Sequence, residues 1–171
     1  MGCSGSGKTT LARRMAALLD LEHIELDALF HRPGWTPAPP MEFQEGIEEA
    51  IEQAARNRAG WITCGNYLAA SGSIHHRKAD CVIWLDLPRS VIMKRVIGRT
   101  WKRAVLREVL WNGNRERILD LFRWNPERNI IRWAWASFPK VRSDYESKLA
   151  DGSWDHLELY RLRTPFEVDQ F

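Results

Sequence analysis

The sequence predicts a three-layer α/β domain with a parallel central sheet, and three observations lead there. WITC (61–64) and CVIWLDL (81–87) are continuous apolar runs, the pattern of strands covered on both faces. Segments with apolar residues at helical spacing alternate with such runs, which is the order of a parallel sheet. Residues 2–9, GCSGSGKT, fit the phosphate-loop pattern G-x-x-x-x-G-K-[ST] and stand directly before an amphipathic helix.

The elements follow in order. KTTLARRMAALLD places Leu11, Met15, Leu18 and Leu19 on one helical face. EHIELDALF is a short β-favouring run ending on Asp27, and HRPGWTPAPP is a turn-rich loop. A second, acidic helix repeats Phe43, Ile47, Ala50/Ile51 and Ala54 and stops at Gly60. After WITC, residues 65–80 form a loop or short helix in which His75-His76 has no third ligand at metal spacing and reads as loop. Pro88 opens a long helix that runs to Trp111 and stops at the NGN turn. RERILDLFRW and ERNIIRWAWASF are helical segments separated by Pro126 and closed by Pro139, HLELYRL is a last strand, and PFEVDQF starts a terminal helix. A phosphate loop normally hangs from a buried strand, and here one residue precedes it. The first strand is therefore expected to be missing, with about five β-forming residues upstream in the natural chain.

A length of 171 residues, 44% apolar and 27% charged, suits one domain over 1–171, and no apolar run reaches the roughly 18 residues of a membrane span. Met-Gly-Cys-Ser is not a signal peptide, so the expected location is the cytoplasm. Cys3, Cys64 and Cys81 have no metal-ligand spacing and read as buried small residues. Charge is uneven. Residues 1–88 carry 8 basic against 11 acidic side chains, 89–142 carry 14 against 4, and 143–171 carry 3 against 7. The middle block, net +10, points to a polyanionic ligand.

The phosphate loop is the strongest signal. Gly2, Cys3, Ser4, Gly5, Ser6 and Gly7 turn backbone N–H groups toward phosphate oxygens, Lys8 reaches the β and γ oxygens, and the Thr9 hydroxyl coordinates Mg²⁺, with Thr10 beside it. Arg95, Arg99, Arg103 and Arg107 are spaced by four and form one helical ladder, either a solvated basic face or a clamp on phosphates. RVIGR (95–99) resembles the RIVGR stretch that opens the mobile lid of adenylate kinases. That resemblance implies Arg95 over the adenine, Arg99 at the phosphates, and a lid over about 95–135.

GCSGSGKTTLARRMA, HIELDALFHRPGW, GNY, ADCVIWLDLPRSVIMKRVIGRT, LWNGNRE and LRTPFEVDQF, in that order, resemble the bacterial adenylate-kinase-like P-loop proteins often labelled DNA topology modulation proteins. The resemblance covers nearly the whole chain and implies a P-loop NTPase fold like that of nucleoside and shikimate kinases, with ATP and Mg²⁺. Asp27 stands where similar kinases carry an acid that binds the acceptor hydroxyl or a magnesium-bound water. It is read as acceptor ligand, base and metal ligand, against the alternative of a helix cap. Trp35 either walls the acceptor pocket or anchors packing, and Asn66 in GNY is a candidate acceptor contact.

Before Gly65 the resemblance implies an Asp, and this chain has Cys64, a poor ligand for Mg²⁺, so either Asp27 carries the metal with Thr9 or turnover is weak. Asp86 is a lesser substitute and more simply a helix cap. Residues 111–116 are a lid hinge or a plain turn. Trp101, Trp111, Trp124, Trp133 and Trp135 among arginines suit either core packing or base stacking. The expected function is thus an ATP-dependent small-molecule phosphotransferase, in which Arg99 and Arg103 clamp phosphates and the loop 162–165 borders the adenine. The alternative is a nucleotide-binding regulatory module that contacts nucleic acid through 89–142.

Overall fold

The computed structural model describes residues 1–116 and 129–171. Its elements are α1 (Lys8–Leu19), β1 (Glu22–Glu25), α2 (Leu26–Phe30), β2 (His31–Arg32), β3 (Thr36–Pro37), α3 (Pro40–Asn57), β4 (Trp61–Cys64), α4 (Ile74–Lys78), β5 (Cys81–Leu85), α5 (Arg89–Leu106), α6 (Ile130–Ala150), β6 (Glu158–Leu162) and α7 (Pro165–Gln170). Parallel strands alternate with helices, as the sequence predicts. The predicted helix RERILDLFRW lies almost wholly outside the described residues, as do Pro126 and Trp124.

Four of the six described strands form two parallel pairs. β1 pairs with β4 in the register Glu22–Trp61 to Glu25–Cys64, and β5 pairs with β6 from Cys81–Glu158 to Leu85–Leu162. Met1 and Gly2 run beside β5 as a single parallel bridge: the Leu85 N–H donates to the Met1 carbonyl at 2.8 Å, and the Met1 ammonium donates to the Ile83 carbonyl.

The core has several centres. Phe43, Ile47, Ile51 and Ala54 of α3 pack with Ile24, Leu26 and Ile74, confirming the predicted face. Cys3 of the loop packs with Ile92 and Val96 of α5 and Ala134 of α6. Val82 and Trp84 of β5 meet Tyr145 and Trp154. On α1 the buried face is Leu11 and Ala12; Leu18 and Leu19 are exposed, because α1 covers the sheet only over its first turns.

Five expectations are corrected. HRPGWTPAPP is not a structureless loop: β2 and β3 form a tight antiparallel hairpin around Pro33–Trp35. Asp27 does not end a strand, since β1 stops at Glu25 and Asp27 falls in the first turn of α2. The long basic helix ends at Leu106, where Arg107 takes a left-handed conformation (φ 50°), so Arg107 leaves the ladder. His75-His76 is not loop; both rings are buried in α4, 4.0 Å apart. Pro139 does not close its helix, because α6 runs through it. Proline removes the N–H that would bond to the carbonyl four residues back, here Trp135. That carbonyl accepts instead from Arg89 Nη2 at 2.6 Å, and the Arg89 guanidinium lies 3.4 Å from the Trp135 ring centroid.

Candidate active site

The phosphate loop joins the Met1–Gly2 bridge to α1 and is held from two sides. At Gly5 φ is +85° and an added Cβ would lie 2.3 Å from Val96 Cγ2, so the loop rests directly on α5. At Gly2 φ is +141° and a Cβ would meet the Leu85 carbonyl at 2.7 Å. Ser6 N–H donates to the Cys3 carbonyl at 3.1 Å, and Lys8 Nζ folds back onto the Gly2 and Cys3 carbonyls at 2.7 and 2.9 Å. Burial pushes the Lys8 ammonium down, and the charge of Asp27 opposes it. Thr10 is exposed at the start of α1.

Two arginines of the ladder touch the loop. Arg95 Nη1 donates to the Ser6 carbonyl at 3.0 Å, and Arg99 Nη2 donates to Ser4 Oγ at 3.2 Å. Burial and the neighbouring Arg103 lower Arg99, while Glu116 and Asp27 raise it. Its buried Nε has no hydrogen-bond partner, nor has the buried Ser6 Oγ. Open donors on a glycine-rich loop at a helix N-terminus suit a phosphate chain. Arg103 is engaged differently, with Glu116 at 3.1 Å and Glu108 at 3.7 Å.

Asp27 lies close enough for its charge to act on Lys8. Tyr67 Oη donates to Asp27 Oδ1 at 2.5 Å and lies 3.2 Å from His31 Nε2. Burial first, and then the Asp27 charge, raise the Tyr67 phenol far above its ordinary value, so it remains a donor. Around this pair His31 sits edge-on to Trp35 at 5.2 Å and stacked with Trp111 at 6.2 Å. Asn66 does not join them: its Oδ1 accepts from Tyr145 Oη at 2.7 Å, on the core side of the sheet. Tyr67, the next residue, is the one the sequence reading missed.

Residues 111–116 are neither a free turn nor a detached hinge. Asn112 Nδ2 donates to the Ala28 and His31 carbonyls at 3.0 and 2.6 Å, Asn114 Nδ2 to the Arg32 carbonyl at 2.9 Å, and Trp35 N–H to Asn114 Oδ1 at 3.0 Å. Trp111 Nε1 donates to Glu25 at 2.7 Å. The segment clamps the hairpin that carries Trp35.

At the strand end, Cys64 Sγ lies 3.6 Å from Thr9 Oγ1 and 3.2 Å from His23 Nε2. Burial pushes the Cys64 thiol up, and the Thr9 hydrogen bond opposes it. For Mg²⁺ the hard donors among these residues are the Thr9 hydroxyl and the Asp27 carboxylate; the Cys64 sulfur beside Thr9 does not fit that ion. Asp86 is neither metal ligand nor helix cap. Its carboxylate receives Arg161 at 2.6 and 2.9 Å and Arg142 at 3.3 Å, and α5 has no side-chain cap. Cys81 is exposed, unlike Cys3 and Cys64. Trp101, Trp133 and Trp135 are 61, 49 and 55% exposed, so the expectation of core tryptophans fails for these three.

A family model described as shikimate kinase matches residues 4–129. Two proteins named shikimate kinase, from Synechococcus elongatus and from a Synechococcus sp., are each 26% identical in an alignment of 132 positions that covers 68% of this chain and 70% of theirs. These matches agree with the adenylate-kinase-like P-loop fold and with an ATP-dependent small-molecule kinase family. They give no support to the DNA topology label or to a nucleic-acid partner. No described helix is long and apolar enough to cross a membrane.

Proposed function

Since the chain belongs to the shikimate kinase family, we propose that it transfers the terminal phosphoryl group of ATP to a hydroxyl of a small acceptor held at Asp27. The observation that carries this reading is the placement of Asp27: its charge acts on both Lys8 and Arg99, which face the phosphate loop, while its Oδ1 is fixed by Tyr67.

Each residue then has a task in phosphoryl transfer, which depends on positioning and on cations around the equatorial oxygens. The loop Gly2–Gly7 and the α1 N-terminus hold the phosphates, and Lys8, released from the Gly2 and Cys3 carbonyls, reaches the β and γ oxygens. Arg99 neutralises charge on the transferred group, and Arg95 keeps the loop shut from outside. Arg103 orders Glu116 and the clamp. Asp27 accepts the acceptor hydroxyl's hydrogen bond through Oδ2 and takes its proton as the bond to phosphorus forms. Trp35, His31 and Trp111 wall the acceptor side. A divalent ion accompanying the nucleotide at Thr9 would neutralise charge on the phosphate oxygens. Five of the fourteen basic side chains of 89–142 are engaged within the protein: Arg95 and Arg99 on the loop, Arg142 on Asp86, Arg103 on Glu116 and Arg89 on Trp135.

The test is ADP release with hydroxylated metabolites, shikimate included. Asp27→Asn should lower kcat by about 10²–10⁴-fold with ATP binding retained, and Lys8→Ala should lose ATP binding. Wild-type turnover in Asp27→Asn sinks the reading.

A further inference from the structure

The face of the β1–β4 pair that carries Ile62 and Cys64 also carries His23 and Glu25. Glu25 and Cys64 are register partners, and His23 lies two residues before Glu25 on the same face. From α1, Thr9 reaches Cys64 and Arg13 reaches Glu25 at 2.5 Å. A polar seam thus interrupts the aliphatic packing that a helix on a parallel sheet normally provides, and at Thr9 it reaches the residue that follows the phosphate-loop lysine.

The donors in that seam have a definite chemistry. Cys64 Sγ and His23 Nε2 are 3.2 Å apart, close to the roughly 3.5 Å that separates a sulfur and a nitrogen on one tetrahedral zinc ion with Zn–S and Zn–N bonds of about 2.3 and 2.0 Å. The other ring nitrogen, His23 Nδ1, lies 3.8 Å from Glu25 Oε1. A carboxylate behind the distal nitrogen is the arrangement that orients metal-bound imidazoles. Thr9 Oγ1, the hydroxyl expected on the nucleotide's metal, is 3.6 Å from the same sulfur.

We propose that the divalent ion accompanying the nucleotide in this chain is a borderline, sulfur-accepting one such as Zn²⁺, held by Cys64 Sγ and His23 Nε2 beside Thr9. Thiolate and imidazole select such ions over Mg²⁺, which demands oxygen. Binding replaces the thiol proton, which leaves to solvent, so the site gains one positive charge rather than two. Among the described residues no three His, Cys, Asp or Glu side chains converge as a metal site. The protein therefore supplies an incomplete shell, and phosphate oxygens of the nucleotide complete it. Ion binding at Cys64 is nucleotide-dependent.

This inference rests on the nucleotide-binding part of the proposed function, and the experiment separates the two. Full-length protein is titrated with Co²⁺ with and without ADP or a non-hydrolysable ATP analogue, and nucleotide binding is measured on the same samples. The expected result is a saturable thiolate-to-cobalt charge-transfer band that requires nucleotide, resists a large excess of Mg²⁺, persists in Cys81→Ser and is absent in Cys64→Ser. His23→Gln should weaken cobalt binding by at least about tenfold. Nucleotide binding by the wild type with no thiolate band overturns this inference alone, as does a band that survives in Cys64→Ser. Absence of nucleotide binding overturns the reading beneath it.

Discussion

In the proposed reaction Tyr67 would set how Asp27 meets an acceptor. Its hydroxyl holds Oδ1 at 2.5 Å, leaving Oδ2 as the free face of the carboxylate. Tyr67→Phe should lower kcat about tenfold, roughly the value of one hydrogen bond to a charged group, with KM for ATP unchanged; a variant with normal kcat removes Tyr67 from the mechanism. The residue was hard to foresee. Lys8 and Thr9 declare themselves through their motif, because the loop's chemistry is local. In Gly65-Asn66-Tyr67 the choice between neighbours depends on how the chain leaves β4, and the turn sends Asn66 to Tyr145 and Tyr67 to Asp27. Cys64 was legible as a departure from the expected acid, whereas His23 was silent until the β1–β4 register set it beside the sulfur.

At the scale of elements, segments with strong periodicity were readable and those decided by a distant partner were not. α3 declared its buried face through Phe43, Ile47 and Ile51. Phe43→Ala should destabilise the fold by about 3–5 kcal/mol, the cost of a buried aromatic cavity, seen as a lower urea midpoint. α2 has five residues, too few to show a period. α6 passes Pro139 because Arg89, fifty positions upstream, satisfies the carbonyl that proline leaves open. Arg89→Ala should cost about 1–2 kcal/mol, from that hydrogen bond and the stacking on Trp135; Pro139→Ala in the same background should recover most of it, since the restored amide takes the Trp135 carbonyl. The 111–116 clamp is expected to act on the acceptor side through the hairpin it holds. Asn114→Ala removes the partner of the Trp35 amide and of the Arg32 carbonyl and should raise KM for the acceptor severalfold while leaving ATP affinity unchanged.

For the whole molecule, the buried histidines tie stability to pH. Burial holds His75 at about 4 and His76 at about 3, with the Met1 ammonium adding to both and His156 and Lys148 adding to His76. Both are neutral in the fold, whereas the unfolded chain takes up protons near pH 6.5. Stability is therefore complete above about 6.5 and is lost as pH falls from there toward 4 and 3. Urea midpoints should drop between pH 7.5 and 5, and His76→Gln should flatten the drop; equal midpoints in the wild type contradict it. The layered architecture was legible from the alternation of apolar strands and amphipathic helices. The depth of the histidine pair was not, because Trp154, whose ring stacks on His76 at 5.3 Å, arrives from nearly eighty residues away.

The contact of Gly5 with Val96 leaves no gap in which the phosphate loop and α5 could shift against each other, and Arg95 and Arg99 already rest on Ser6 and Ser4. The nucleotide side is a fixed jaw. We therefore expect the part that adjusts when both substrates are bound to be the acceptor side, the hairpin with Trp35 and the segment hydrogen-bonded to it.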